Sequence, residues 1–591
     1  MPNPYHPTRH AVAHAATAWW RRRLQPAVRA VTAAATVAIG LALSACGGDD
    51  SATTKPSTAT AMTAVNAVIS CADMAKQDFG KATGLPTTVS SATLSGGNCV
   101  LTGTIAGTQN YQVKLPTTGW TQRFMMNGCG GYCGFVGDPR TTNGTMLFGC
   151  KPIEQNDVAL ATTDLGHTAG ISSGLWAKDN PSAVIDFAYL GMHKMTLLSK
   201  ALIKAYYGQQ PKKSYYVGCS DGGREGLQVA QRFPEDFDGI VVGAPVIDET
   251  ATNTFYHAWN IRVNMDPVTG NSIFTTDKKP ALIAAVTKAC GDEGGLIQDP
   301  RTCDGEKILA SLLCTGADSS SCLTAAQVGV VRQVWRGPTD ETGTLLSPGD
   351  MPIGSEGSWS SVTLAGTNPD TGGEGAWASD FPNYLADWGS STGITYKNMD
   401  FTSASYTALT KLSNLWDAHN PDLSRFAARG GKLIIWHGWA DSGASPYMAL
   451  NYWSAVRKQM GTDTASKFMT LYMIPGVGHC NGGINATRTD FLTPMIDWVE
   501  NGTAPSKVTV NFVSTAQTSA VLNSRPVFPY PSIVKYDGKG NVADESSWVR
   551  ADVASGVSDT LAWRGLADYA PLKQMWCEPV PGSSIPSCSL K

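Results

Sequence analysis

Charge is scarce in this sequence. Asp, Glu, Lys and Arg make up 16% of its 591 residues, and the five arginines of residues 1–45 stand without an acid. The rest of the chain carries 40 basic against 48 acidic side chains, about −8 net, which excludes a basic, nucleic-acid-binding body. Long apolar runs are missing too. After residue 46 no stretch reaches the ~18 uncharged apolar residues of a membrane span, so the body is expected to be soluble, with a tether as its one route to a membrane. Histidine numbers only nine, and no His pair lies near the Cys129-Gly-Gly-Tyr-Cys133 segment, so no zinc site is expected. No internal repeat stands out. What abounds is apolar residues (42%), with 61 glycines, 33 prolines, 17 tryptophans and 14 cysteines. That composition fits a compact, loop-rich, enzyme-like chain of two or more domain-sized units, in an oxidising compartment.

The first 46 residues have the layout of an export signal. Arg21, Arg22, Arg23 and Arg29 form a basic flank, and Val31 to Leu43 is a mostly apolar run of 13 residues. That is short for a bilayer and suits a signal core. It ends in Leu43-Ser44-Ala45-Cys46, a pattern like the bacterial lipobox in which Cys46 would carry a lipid anchor. An Ala-x-Ala-type signal with an incidental cysteine is the alternative. Residues 47–65, rich in small polar residues, then form a flexible tether. The mature protein is expected to be an outer-membrane lipoprotein, or periplasmic or secreted, in a bacterium.

Without Cys46 the cysteines number thirteen, so at least one thiol is unpaired. Close spacing pairs Cys71 with Cys99, Cys290 with Cys303, Cys314 with Cys322 and Cys577 with Cys588. Cys129, Cys133 and Cys150 are left to hold one bridge and one free thiol, in an order that spacing does not assign.

From about residue 111, β-prone and helical runs alternate. Tyr215 to Val217, Ile240 to Val242, Lys432 to Trp436 and Phe468 to Ile474 read as strands; Glu225 to Phe233, a run from near Pro446 and Asp490 to Glu500 read as helices. That alternation implies a parallel sheet in an α/β fold. Residues 248–428 break the pattern and read as a domain inserted between a first core part, 66–247, and a second, 429–591.

Gly218-Cys219-Ser220-Asp221-Gly222 fits Gly-x-Ser-x-Gly between a strand and a helix. There the glycines allow a sharp turn that lifts the serine oxygen above the sheet edge and aims the next backbone N–H at a developing oxyanion. A glycine-rich turn with a solvated serine is the competing meaning. A serine nucleophile needs a base, and in this fold the chain order is Ser, acid, His. Asp441, just past the 432–436 strand, is placed to orient an imidazole, and only His479 lies beyond it. His437 is the competing base, read as bracing the loop; His167, His193, His257 and His419 are read as structural or surface residues. Cys219 precedes the serine and Cys480 follows the histidine. If Ser220 and His479 are hydrogen-bonded, the two sulfurs come within bridging distance. Two unrelated buried thiols are the alternative.

These residues resemble the tannase/feruloyl esterase family of α/β-hydrolases, from about Cys71 to Cys588. The likeness rests on Gly218-Cys-Ser-Asp-Gly-Gly-Arg-Glu-Gly226, Phe237-Asp-Gly-Ile-Val241, Arg429-Gly-Gly-Lys432 and Gly478-His-Cys480. It implies an α/β-hydrolase core with a mostly parallel sheet and a large inserted lid that sets acyl-side specificity. It implies the triad Ser220, Asp441 and His479, a Cys219–Cys480 bond, and an oxyanion hole made by the backbone N–H groups of Asp221 and Gly131.

Two departures stand against the resemblance. The family's calcium loop is an Asp-rich run between two lid cysteines. Here Cys290 to Cys303 retains only Asp292, Glu293 and Asp299, too few for the roughly six to eight oxygens calcium takes, so no cofactor is expected to be required and any calcium site to be lost or weak. The lid arginine with which terephthalate-monoester hydrolases of the family hold a free carboxylate has no counterpart in residues 375–385. Trp377, Phe381, Tyr384 and Trp388 could stack on an aromatic acyl group, or serve only as packing. The expectation is an exported serine esterase acting on small aromatic-acid esters of feruloyl or galloyl type. A terephthalate-monoester hydrolase, a serine peptidase and a non-catalytic surface-binding lipoprotein are the alternatives.

Overall fold

The computed structural model describes residues 62–591 apart from 143–145, 350, 361, 364–367, 371, 515–519 and 554–555. The export signal, Cys46 and residues 47–61 of the tether lie outside the described residues. Nine strands build the central sheet: β1 (Thr87–Ser95), β2 (Asn98–Ile105), β3 (Gln109–Pro116), β4 (Arg123–Asn127), β5 (Val158–Thr163), β6 (Lys213–Cys219), β7 (Gly239–Gly243), β8 (Lys432–Gly438) and β9 (Met469–Ile474). Their spatial order is β1-β2-β3-β5-β4-β6-β7-β8-β9. Every pairing from β5 across to β9 is parallel, and the three on the β1 side are antiparallel.

Six helices matter for the site: α1 (Gly191–Tyr207), α2 (Asp221–Arg232), α3 (His257–Arg262), α4 (Gly373–Asp380), α5 (Tyr447–Met460) and α6 (Leu492–Asn501). Side chains of the parallel strands alternate between two apolar clusters. Tyr216, Leu433 and Ile435 join one; Tyr215, Val217, Ile434 and Trp436 join the other. With apolar groups on both faces, the sheet must be covered on both. Leu198 and Leu202 of α1, Leu227 of α2 and Met448 of α5 cover the first face, and Leu492, Met495 and Trp498 of α6 the second.

β7 and β8 are hydrogen-bonded neighbours, yet some 190 residues of chain run between them. Among the described residues this excursion is helical, with no strand beyond isolated bridges. Its first part has a core of its own around Phe274, Leu282, Val331, Trp335 and Trp359. Its second part does not: Phe381, Leu385, Trp416 and Phe426 pack into the first-face cluster of the sheet.

Among the described residues six disulfides are formed: Cys71–Cys99, Cys129–Cys133, Cys219–Cys480, Cys290–Cys303, Cys314–Cys322 and Cys577–Cys588. The ambiguity among three cysteines is thereby settled, with Cys150 as the buried free thiol. No described helix is long and apolar enough to cross a membrane.

Candidate active site

Ser220 sits between β6 and α2 with φ +64° and ψ −125°, a conformation costing a non-glycine residue about 1–3 kcal/mol. The turn is held from several sides. Ser220 N donates to Gly243 O at 3.0 Å, and Val246 N donates to Ser220 O at 3.2 Å. Two residues to either side, glycine is required, since a Cβ on Gly218 would stand 2.3 Å from Gly222 O and one on Gly222 2.6 Å from Cys129 O.

His479 Nε2 lies 2.8 Å from Ser220 Oγ, and His479 Nδ1 lies 2.8 Å from Asp441 Oδ2. A carboxylate accepts, so Nδ1 carries the proton and Nε2 offers its lone pair to the serine hydroxyl. Asp441 follows β8 and is wholly buried; its Oδ1 accepts from Gly443 N at 2.8 Å and Ala444 N at 2.9 Å. Burial opposes its ionisation, but the field of His479 and hydrogen bonds from two imidazoles outweigh that and hold its carboxyl far below the usual range. The second imidazole is His437, whose Nε2 donates to Asp441 Oδ2 at 3.0 Å and Ala444 O at 3.1 Å. It braces the acid and does not reach the serine. His479 is pulled down by burial and up by Asp441, with a smaller upward push from Glu374, and ends above its ordinary value.

The Cys219–Cys480 bond, Cα atoms 5.9 Å apart, fastens the two loops beside this relay. It closes a loop of 261 residues, for which chain entropy alone gives an upper figure of about 5–6 kcal/mol.

The loop after β4 continues the pairing with β6, Gly128 N donating to Val217 O at 3.0 Å, and then crosses the first turn of α2. Gly131 needs glycine twice over: its φ is +57°, and a Cβ there would stand 2.3 Å from Ile171 O. Tyr132 N donates to Ile171 O at 2.7 Å, and His167 Nε2 donates to Tyr132 O at 2.7 Å. Burial lowers His167 to about 4, so it is neutral at that post. Asp221 is the first residue of α2, where the helix leaves its amide without an internal partner.

Some expectations need correction. Phe381 is completely buried and packs edge-on to Trp416, ring centroids 5.9 Å apart, so it is a core residue and not a substrate platform. Tyr384 and Trp388 are half-buried against the same cluster, and no described contact ties them to Ser220 or His479. Trp377 is tied to the site: its Nε1 donates to Ile171 O at 3.2 Å, and its ring lies 5.1 Å from that of His257. The four histidines read as structural or surface residues, His167, His193, His257 and His419, are structural. All four are buried: His167, His193 and His257 each give a ring nitrogen to a carbonyl or a carboxylate, and His419 Nδ1 lies 3.8 Å from Asp248 Oδ1.

The three calcium candidates do not form a cage. Asp292 accepts from Gly294 N, Leu296 N and Gln298 Nε2, Asp299 is paired through both oxygens with Arg301, and Glu293 is exposed. Those donors already use the carboxylates, so the residues present do not fit the ion.

Two residues near the relay carry no signal in the sequence. His257, on α3, donates from Nε2 to Gly443 O at 3.1 Å, and a Cβ on Gly443 would stand 3.0 Å from the His479 ring. Glu374, on α4, is buried one turn before Trp377, and its charge acts on His479. Neither sits in a motif; both arrive from the long excursion between β7 and β8.

The profile of the family described as "Tannase and feruloyl esterase" matches residues 97–551. The chain belongs to this family. Within the tannase and feruloyl esterase family it is 30% identical to a probable feruloyl esterase B-2 of Aspergillus terreus over 492 residues, covering 78% of this chain and 87% of the relative. It is 27% identical to the mono(2-hydroxyethyl) terephthalate hydrolase of Piscinibacter sakaiensis over 543 residues, covering 79% and 86%. The crystal structure of feruloyl esterase B from Aspergillus oryzae superposes with a TM-score of 0.66 at 27% identity, over 83% of this chain and 95% of that one. The fold is thus the α/β-hydrolase fold of the tannases and feruloyl esterases, and the chain stands among carboxylic ester hydrolases of small-molecule esters.

Proposed function

We propose that this chain is an exported serine carboxylesterase that cleaves esters of aromatic acids through an acyl-enzyme. The carrying observation is the Ser220–His479–Asp441 relay, with both contacts at 2.8 Å. His479 takes the Ser220 proton as the oxygen attacks the ester carbonyl, and the amides of Gly131 and Asp221 hold the tetrahedral oxyanion. The alcohol leaves with the proton from His479, and water, activated by the same base, releases the acid. The excursion between β7 and β8 serves as a lid. From it, Trp377 offers a face to an aromatic acyl group, while the Glu374 charge near His479 favours a neutral or phenolic acid over one with a second carboxylate. That leaves terephthalate monoesters as poor substrates, in keeping with the lack of an arginine in residues 375–385. Export, by the signal-like residues 1–46, suits a chain with six disulfides. No calcium is required.

The deciding experiment is Ser220→Ala, assayed on p-nitrophenyl and methyl ferulate esters. Turnover is expected to fall by roughly four orders of magnitude or more with the thermal midpoint unchanged. Turnover at the parent rate would refute the proposal. A matched panel of methyl ferulate, methyl gallate, chlorogenate, a terephthalate monoester and the corresponding amide ranks the acyl groups and separates esterase from peptidase.

A further inference from the structure

The loop that carries Gly131 is closed on itself. Cys129 and Cys133 are bonded, Cα atoms 5.4 Å apart, and the ring encloses only Gly130, Gly131 and Tyr132. Glycines at 128, 130, 131 and 134 give this segment more backbone freedom than any other residues would. An oxyanion hole needs the reverse, because its donors act by standing in place before charge develops. The bond supplies what the glycines lack. It holds Cys133 at φ +57°, with Cys133 N donating to Gly130 O at 3.1 Å, so the backbone turns tightly around Gly131.

The bond is also seated on the nucleophile helix. The sulfurs of Cys129 and Cys133 lie 3.0 and 3.3 Å from Glu225 Oε1, one turn along α2 from Asp221. Burial, reinforced by the charge of Asp221, raises the Glu225 carboxyl well above the usual range, which favours its neutral form beneath the sulfurs. Both cysteines are buried, at 4% and 0% exposure. Closing a ring of five residues restricts an unfolded chain far less than closing one of 261, so global stability is not the chief service of this bond.

We propose that the Cys129–Cys133 disulfide is a positioning element of the oxyanion hole: it fixes the Gly131 amide in register with the Asp221 amide across the first turn of α2. This rests on the assignment of those two amides in the preceding section. Neither sulfur touches the reacting atoms; the bond acts through the loop.

The test compares Cys129→Ser/Cys133→Ser with the parent, using the burst of a p-nitrophenyl ester to count competent sites. The expected result is a kcat per titrated site lower by about 10- to 100-fold, short of or comparable to losing one oxyanion donor outright, with KM changed less than about threefold. Inhibition by phenylboronic acid, which forms a tetrahedral adduct on the serine, should weaken by the same factor as kcat, while product inhibition by ferulate stays put. A bond of purely structural value would lower the burst amplitude and the thermal midpoint and leave kcat per site within twofold, and that outcome overturns the proposal. Should the serine pair fail to fold, Cys129→Ala/Cys133→Val, which keeps the space apolar, is read in the same way; failure of both to fold also overturns it. Ser220→Ala runs in parallel. An active Ser220→Ala enzyme refutes the site itself, whereas an inactive one beside an unimpaired double variant refutes only the role of the disulfide.

Discussion

Asp441 takes two imidazoles on one oxygen, and this has a consequence for pH. His479 must be neutral to accept the serine proton, and its pKa in the folded protein is raised above the ordinary ~6.5. Activity is therefore full above that raised value and falls as pH drops through it, at a higher pH than an unperturbed histidine would give. Glu374 contributes to the rise. Glu374→Gln removes a negative charge near the imidazole, so the acid limb of kcat/KM should move to lower pH by a fraction of a unit, and the rate on a terephthalate monoester relative to ferulate should increase. A limb that stays put or moves upward, measured on one substrate from pH 4 to 9, would show that Glu374 does not face His479. The sequence discloses the three relay residues because each sits in a short pattern with a fixed place in the chain order. Glu374 and His257 stay hidden because only long-range packing of the excursion brings them near.

At the level of elements, the parallel strands and α2 are legible because their period is clean and turn residues bound them. The segment from Tyr215 extends to Lys213–Cys219, and the one from Glu225 starts earlier, at Asp221, directly after the serine. β1 escapes notice for a physical reason: Thr87–Ser95 carries only Val89, Ala92 and Leu94 as apolar residues, and a register shift between Val89 and Ser91 breaks its alternation. α2 is unusual in being buried along its whole length. Arg224 makes this tolerable: Nε donates to Asp221 Oδ1 at 2.6 Å, Nη1 to Ala188 O at 2.9 Å and Nη2 to Phe187 O at 3.2 Å. Removing it strands the Asp221 charge in the interior. Arg224→Ala is expected to destabilise the fold by about 3–5 kcal/mol in denaturant titration, and a loss under about 1 kcal/mol would mean that α2 does not depend on the pair.

For the whole molecule, the question is what ties the long excursion to the strands that bear the relay. One ionic link from the excursion does so, while a covalent one ties the two core loops to each other. Cys219–Cys480 joins the serine and histidine loops directly. Arg301, in the loop between Cys290 and Cys303, works from the excursion: besides Asp299 it reaches Ser558 O at 2.8 Å and the Tyr530 hydroxyl at 3.1 Å, and its guanidinium lies 5.2 Å from the ring of Trp439, two residues before Asp441. A cation is thus already present where the family resemblance implies a calcium loop, and it belongs to the chain. Chelation should then leave both turnover and thermal midpoint unchanged, whereas Arg301→Ala, which leaves Asp299 buried without its partner, should cost about 3 kcal/mol or more of stability. The two arms oppose each other cleanly. A midpoint that drops by several degrees in EDTA and returns with added calcium would assign the tie to an ion; one that ignores EDTA and drops in the variant assigns it to the guanidinium.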